Sequence, residues 1–190
     1  MTLRLAVPGD AADVRAVYAP YVRDTAVSFE TEPPDEAEVA RRIAATLPRH
    51  PWLVADDGKG GVAGYAYAGA HRGRTAYQWS AEVSVYVAPA HQRRGLARAL
   101  YDALLDVLRL QGFATALAGI TLPNAPSVAF HEALEFRRVA TYPAVGFKNG
   151  SWHDTGWWTL RLGDGNAPEP PRPLDAVAEA VAARLGGAGG

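Results

Sequence analysis

The chain contains no cysteine. Disulfides, thiolate metal ligands and a cysteine nucleophile are excluded together. Net charge is nearly absent as well: 19 Lys and Arg against 20 Asp and Glu leave −1. That balance gives no global electrostatic case for a nucleic-acid partner or an anionic membrane surface. No apolar stretch approaches the ~20 residues of a membrane span. Met1 to Asp10 shows no basic segment followed by an apolar run, so no secretory signal is expected and a cytoplasmic location is. Lysine is scarce: only Lys59 and Lys148 stand among the 19 basic residues, an arginine bias read as background composition. What is present is a 48% hydrophobic fraction over 190 residues, enough for one sizeable core. The length suits one domain, or one domain with a tail.

Strand and helix patterns alternate along the chain. Leu3, Leu5 and Val7 alternate as a first strand. Asp10 is placed to cap a helix through about Tyr21, with Val14, Val17, Tyr18 and Tyr21 on one stripe. A loop with Ser28, Phe29 and Glu30 leads to Pro33-Pro34, and Asp35 opens a second helix toward Leu47, before Pro48. Trp52 to Ala55 and Val62 to Ala70 flank the turn Asp57-Gly58-Lys59-Gly60-Gly61 as a hairpin. Ala76 to Ala88 is the longest strand candidate. Leu96 to Leu110 is an amphipathic helix with Leu100, Leu104, Leu105 and Leu108 inward. A strand at 114–121, a short helix at 127–134 and strands at 138–148 and 153–162 complete a domain over 1–162. The remainder, 163–190, reads as a tail. Its Pro/Gly-rich linker spans 163–173, a short amphipathic helix is expected at 174–185, on the surface or on a partner, and the Gly-rich end is expected to be disordered.

The strongest chemical signal is a strand, a tight basic turn and a helix. Strand residues Val85-Tyr86-Val87 run through Pro89 into Gln92-Arg93-Arg94-Gly95-Leu96-Ala97-Arg98. Gly95 and the small Ala97 let backbone approach a ligand closely. The helix start leaves N–H groups unpaired, and with the helix dipole and the arginines these make a site for two linked phosphates. The alternative is a solvated surface turn. The preceding strand and the long helix favour the phosphate site. The spacing matches neither a P-loop nor a dinucleotide G-x-G-x-x-G motif.

The pattern Gln92-x-x-Gly95-x-Ala97 resembles the pyrophosphate loop of the GNAT superfamily of N-acetyltransferases, which usually has glycine at the place of Ala97. A closer resemblance, from Leu3 to about Leu162, is to its phosphinothricin and methionine sulfoximine acetyltransferase branch. It is carried by Val27-Ser28-Phe29-Glu30, Pro51-Trp52-Leu53-Val54-Ala55, Gly64-Tyr65-Ala66-Tyr67-Ala68, Ser84-Val85-Tyr86-Val87, Leu122-Pro123-Asn124, His131-Glu132-Ala133-Leu134 and Trp152-His153-Asp154. Glu135 departs from it, standing where glycine generally precedes the aromatic of Phe136. That departure is expected to alter the turn after the short helix.

The resemblance implies an α/β (α+β) fold of GNAT type. In it a mixed, mostly antiparallel central sheet is flanked by helices and splayed at the acetyl-CoA site. It implies acetyl-CoA as co-substrate, held at Val85, Tyr86, Val87, the turn Gln92 to Arg98, and Asn124, with the pantetheine arm on Val85 and Val87. It also implies a homodimer and a small amino acid-type acceptor. No metal is expected, since His153-Asp154 alone lacks the ligand count.

Direct amide formation needs a proton acceptor, because an amino acid's amine is mostly ammonium at neutral pH. Period two places Glu82 on the polar face of its strand with Ser80, Ser84 and Tyr86. Partial shielding from water would raise its pKa and suit it to base work. A surface glutamate paired with an arginine is the equal alternative, and the resemblance favours the base. His131 is either a satisfied histidine at a helix edge or, as the resemblance implies, a catalytic acid, base or relay. The backbone N–H near Val85 is the expected oxyanion donor. Arg72 and Arg74 are candidates for an acceptor carboxylate or phosphinate. Tyr77 and Phe29 are candidates for the acceptor pocket, with ordinary surface and edge packing as the alternative.

Overall fold

The computed structural model describes residues 2–163 and 169–186. The chain forms β1 (Leu3–Leu5), α1 (Ala11–Asp24), α2 (Glu36–Thr46), β2 (Trp52–Asp56), β3 (Val62–Ala70), β4 (Ser80–Val87), α3 (Leu96–Gln111), β5 (Thr115–Leu122), α4 (Ala125–Glu132), β6 (Arg137–Lys148), β7 (Ser151–Arg161) and α5 (Ala178–Gly186). The strands build one seven-stranded sheet in the order β1-β2-β3-β4-β5-β7-β6. Every neighbouring pair is antiparallel except β4 and β5.

The two faces of the sheet carry separate cores. On one, Val14, Val17, Val39 and Ile43 of α1 and α2 pack with Trp52, Val54 and Tyr65. On the other, Leu100, Leu104 and Leu108 of α3 meet Leu53, Ala66, Val83 and Trp158. Side chains of this kind, fully buried, contribute roughly 1.5–3 kcal/mol each. The period-two reading of β4 holds: Ala81, Val83 and Val87 are buried on the α3 face. Glu82, Ser84 and Tyr86 therefore take the other face.

Several elements differ from expectation. Residues 76–79 are not strand: Thr75–Tyr77 is a 3-10 turn, and Trp79 donates its indole N–H to the Glu169 carbonyl. The polar–apolar alternation simply continues through that turn. Asp10 does not cap α1 with its side chain. Its carboxylate accepts from Arg4 at 2.8 Å and from the Val7 N–H. The helix runs on through Pro20 to Asp24.

The turn after α4 is a tight one in which Glu135 stands in for the glycine. Glu135 takes the left-handed φ of 67° that glycine favours, and the Phe136 N–H still returns to the His131 carbonyl at 3.1 Å. The strain of a side chain in that conformation, about 1–2 kcal/mol, is carried by Glu135.

The C-terminal helix is present and lies on this chain: Leu174, Val177, Val181 and Leu185 are buried in the α3-face core. Before it, the Arg172 N–H bonds the Gln111 carbonyl at 2.8 Å. Residues 164–168 of the expected linker and the expected disordered end (187–190) lie outside the described residues. Among the described residues no helix is long and apolar enough to cross a membrane.

Candidate active site

The site begins where the sheet comes apart. β4 and β5 pair only through Ser80–Thr115, Ala81–Ala116 and Glu82–Leu117. Beyond that point β5 continues on β7 while β4 continues on β3, from Val83 to Val87. Glu82 is thus the last β4 residue bound to β5, at the fork. Hydrogen bonds alternate in direction along an antiparallel pair. The Ala88 N–H goes to Ala63 on β3, and the Val87 N–H and C=O turn away to the Tyr21 hydroxyl. Val85, two residues earlier, therefore presents its N–H and C=O to the opened side, as an oxyanion donor requires.

Past the fork lies a cleft of about 520 Å³ between β4, the turn before α3, and α4. The turn is built by two left-handed residues, Arg93 at φ 59° and Gly95 at φ 78°. Gly95 is also the N-cap of α3, and no atom lies within 4 Å of the Cβ it lacks. No side chain caps the first N–H groups of α3, at the positive end of a 16-residue helix, which suits a phosphate-bearing ligand.

Not every predicted residue faces the cleft in the same way. Gln92 turns inward, its amide donating to the Tyr21 hydroxyl at 3.1 Å and the Val87 carbonyl at 3.4 Å. It braces the turn instead of offering a free donor. Arg93, Leu96, Ala97 and Arg98 line the cleft, and Arg94 does not. Arg98 is already paired with Asp102 at 2.9 Å. Tyr86 forms part of the wall, but its ring packs edge-on against Tyr18 and Tyr21 of α1. Asn124 lines the cleft and caps α4 by accepting from the Ser127 N–H at 3.2 Å.

His131 closes the cleft from α4. Its ring is 5% exposed among Tyr101, Phe130 and Phe136. Nδ1 lies 2.8 Å from the Ser127 carbonyl and Nε2 3.0 Å from the Tyr101 hydroxyl. The carbonyl can only accept, so Nδ1 carries the proton and Nε2 accepts from Tyr101. Burial pushes the imidazole below its ordinary pKa, partly offset by the Ser127 carbonyl, and burial holds the Tyr101 phenol well above its usual range. Both nitrogens are engaged within the chain. Tyr101 was hidden from the sequence reading because it looks like one more inward position on α3.

Glu82 sits on the face opposite α3. Its side chain keeps 38% exposure, so the expected shielding is only partial. Oε1 lies 2.8 Å from His71 Nδ1 and 3.6 Å from Arg72 Nη1. The arginine partner of the alternative reading is therefore present, together with a histidine that sequence reasoning missed. Arg72, Arg74 and Tyr77 come together around a second cavity of about 530 Å³, with Arg49 and Arg172. Phe29 lies apart from them, over Gly146 of β6, where any Cβ would collide with its ring. Glu30 is engaged within the chain, its carboxylate accepting from Arg42 at 2.7 Å and from the Tyr18 hydroxyl at 3.1 Å. The loop is pinned by Lys148, whose ammonium donates to the Val22 and Ser28 carbonyls, both at 2.6 Å.

The chain is similar to known proteins over most of its length. Residues 3–157 match the family model described as an acetyltransferase (GNAT) domain. Phosphinothricin N-acetyltransferase of Streptomyces viridochromogenes is 42% identical over 177 residues, covering 93% of this chain and 94% of that one. The L-methionine sulfoximine/L-methionine sulfone acetyltransferase of Salmonella typhimurium is 36% identical over 170 residues, 89% of this chain and 99% of its own. Among solved structures, a GNAT superfamily phosphinothricin acetyltransferase from Sinorhizobium meliloti in complex with acetyl-CoA superposes with a TM-score of 0.84. It is 38% identical, over 89% of this chain and 92% of that chain.

Proposed function

Because the chain belongs to the GNAT acetyltransferase family, we propose that it acetylates the amino group of phosphinothricin or a related amino acid analogue, such as methionine sulfoximine or sulfone. Acetyl-CoA is the co-substrate and supplies the activated acetyl group. The observation that carries the reading is the fork itself: a carboxylate at the last paired residue of β4, Glu82, with the exposed Val85 backbone beyond it.

The turn fits the co-substrate because no side chain caps the α3 amides, and Arg93 adds charge at the cleft. Glu82 takes the proton from the acceptor's ammonium. Val85 lies three positions further along the strand, about 10 Å away, so the proton reaches Glu82 through a chain of waters rather than by direct contact. The Val85 N–H steadies the developing oxyanion. His131 holds the Tyr101 hydroxyl in the cleft wall, and the leaving thiolate takes the second proton that the nitrogen releases as the C–S bond breaks and the amide forms. Arg72 and Arg74 serve the acceptor's carboxylate or phosphinate. A supply of acetyl-CoA fits the expected cytoplasmic location.

The test is a turnover screen that follows free thiol release. Phosphinothricin, methionine sulfoximine and methionine sulfone should each support turnover, and spermidine should not, because the arginines repel a polycation. Faster turnover with spermidine would overturn the acceptor class.

Two copies of the chain associate in this reading. The supporting surface is the β6–β7 hairpin, where Val139, Val145, Phe147 and Trp152 are 52–65% exposed. A monomer of this size rarely leaves such a patch to water. Trp158 of the same hairpin takes no part in that surface and is core at 1% exposure. Sedimentation at micromolar concentration should give a dimer, and a monomer there contradicts the association.

A further inference from the structure

The geometry points to His71 as the residue that positions the Glu82 carboxylate, an inference that rests on Glu82 being the base. His71 directly follows β3, and the β3–β4 register sets Gly69 opposite Glu82 and Ala70 opposite Ala81. That register brings the imidazole beside the carboxylate, Nδ1 to Oε1 at 2.8 Å. The histidine side chain is only 15% exposed against 38% for the glutamate. Tyr77 and Trp157 meet its ring edge-on, with centroids at 5.7 and 5.8 Å. Packing from both sides fixes the ring, so the hydrogen bond costs little further order.

The groups facing this imidazole are Glu82 on β4, Arg72 beside it, Tyr77 in the 3-10 turn, and the uncharged Trp157 of β7. Arg72 spends one donor on the His71 carbonyl at 2.9 Å and stands 3.6 Å from the same Oε1. Both partners therefore engage one oxygen. With the imidazole neutral, Nδ1–H donates to Oε1 and leaves Oε2 for the acceptor's proton. A glutamate has several rotamers, and a carboxylate held by one oxygen keeps the other aimed in one direction. His71 touches neither substrate in this account and acts through Glu82.

Two substitutions separate positioning from packing. His71→Phe keeps the ring between Tyr77 and Trp157 but removes the donor, and His71→Asn keeps an N–H near the place of Nδ1. The phenylalanine variant should lose about tenfold in kcat, the worth of one hydrogen bond to a charged group, with KM for acetyl-CoA unchanged. The asparagine variant should recover most of that loss. In a Glu82→Gln background, His71→Phe should cost almost nothing more, because the group it aims has gone. His71→Leu gives the same reading if the phenylalanine variant does not fold. Wild-type kcat without the donor, equal loss in the asparagine variant, or a full further loss in the double variant each overturns the assignment. If Glu82→Gln is crippled while His71→Phe is not, positioning alone fails. If Glu82→Gln keeps normal turnover, the base reading fails and the positioning role with it.

Discussion

Replacing Glu82 by glutamine should lower turnover roughly 10²–10⁴-fold, the usual worth of a positioned general base. Glutamine preserves size and one acceptor oxygen but cannot take a proton. Acetyl-CoA affinity should hardly change, because the turn at Gly95 lies beyond the fork, on the cleft side of Val87. Stability should hardly change either. Glu82 is 38% exposed and its cationic neighbour Arg72 48%, and ion pairs of that exposure are worth about 0–1 kcal/mol. Raising the pH should restore part of the loss, because more acceptor then arrives as free amine. Steady-state kinetics on the purified pair of proteins decides it. Near-normal turnover would reduce Glu82 to a surface partner of Arg72 and His71 and remove the proposed base.

His131→Ala should damage folding and chemistry together, and pH separates the two. The substitution opens a cavity between Tyr101, Phe130 and Phe136 and removes the acceptor of the buried Tyr101 hydroxyl. The cost should be about 2–4 kcal/mol of unfolding free energy, the cavity and the orphaned hydroxyl combined. The wild-type imidazole titrates below its ordinary 6.5 because it is buried. As pH falls, the unfolded chain binds the proton first, so this contribution is complete above about 6.5 and is lost on acidification. His50 is lowered in the same sense, by burial and by Arg49. Urea midpoints of the wild type should therefore drop between pH 7 and 5, and those of the alanine variant should drop less. Turnover measured at pH 8, where both proteins are folded, should still fall about 10²-fold with poor alkaline rescue, because the thiolate side of the reaction is affected. Wild-type turnover with only the stability loss would make His131 a packed, satisfied histidine.

The legible parts of this protein are those written in local period. The alternation around Glu82 put the carboxylate on the correct face of β4. The stripe Leu100, Leu104, Leu108 and the glycine before it placed α3 and the turn that leads into it. Pairings between distant segments were not legible. His71 meets Glu82 only because β3 and β4 adopt one register, and Gln92 turns inward only because Tyr21 arrives from α1. The residues 76–79 misled because alternation persists where the backbone has already turned. The side of the sheet that receives α5 is likewise a tertiary matter. Its apolar face is visible in the sequence, and the groove beside α3 that takes it is not.

The anchoring of Lys148 has a chemical consequence for a protein that works with a reactive thioester. Amines and thiols near such a compound become acetylated without any catalyst. This chain has no thiol and two lysine side chains. One of those, Lys148, is buried with its ammonium donating to two carbonyl groups, so a thioester in solution does not reach its nitrogen. Only Lys59, exposed in the turn after β2, remains as a side-chain target. Uncatalysed acetylation of lysine by the compound the enzyme handles is thus confined to that one turn.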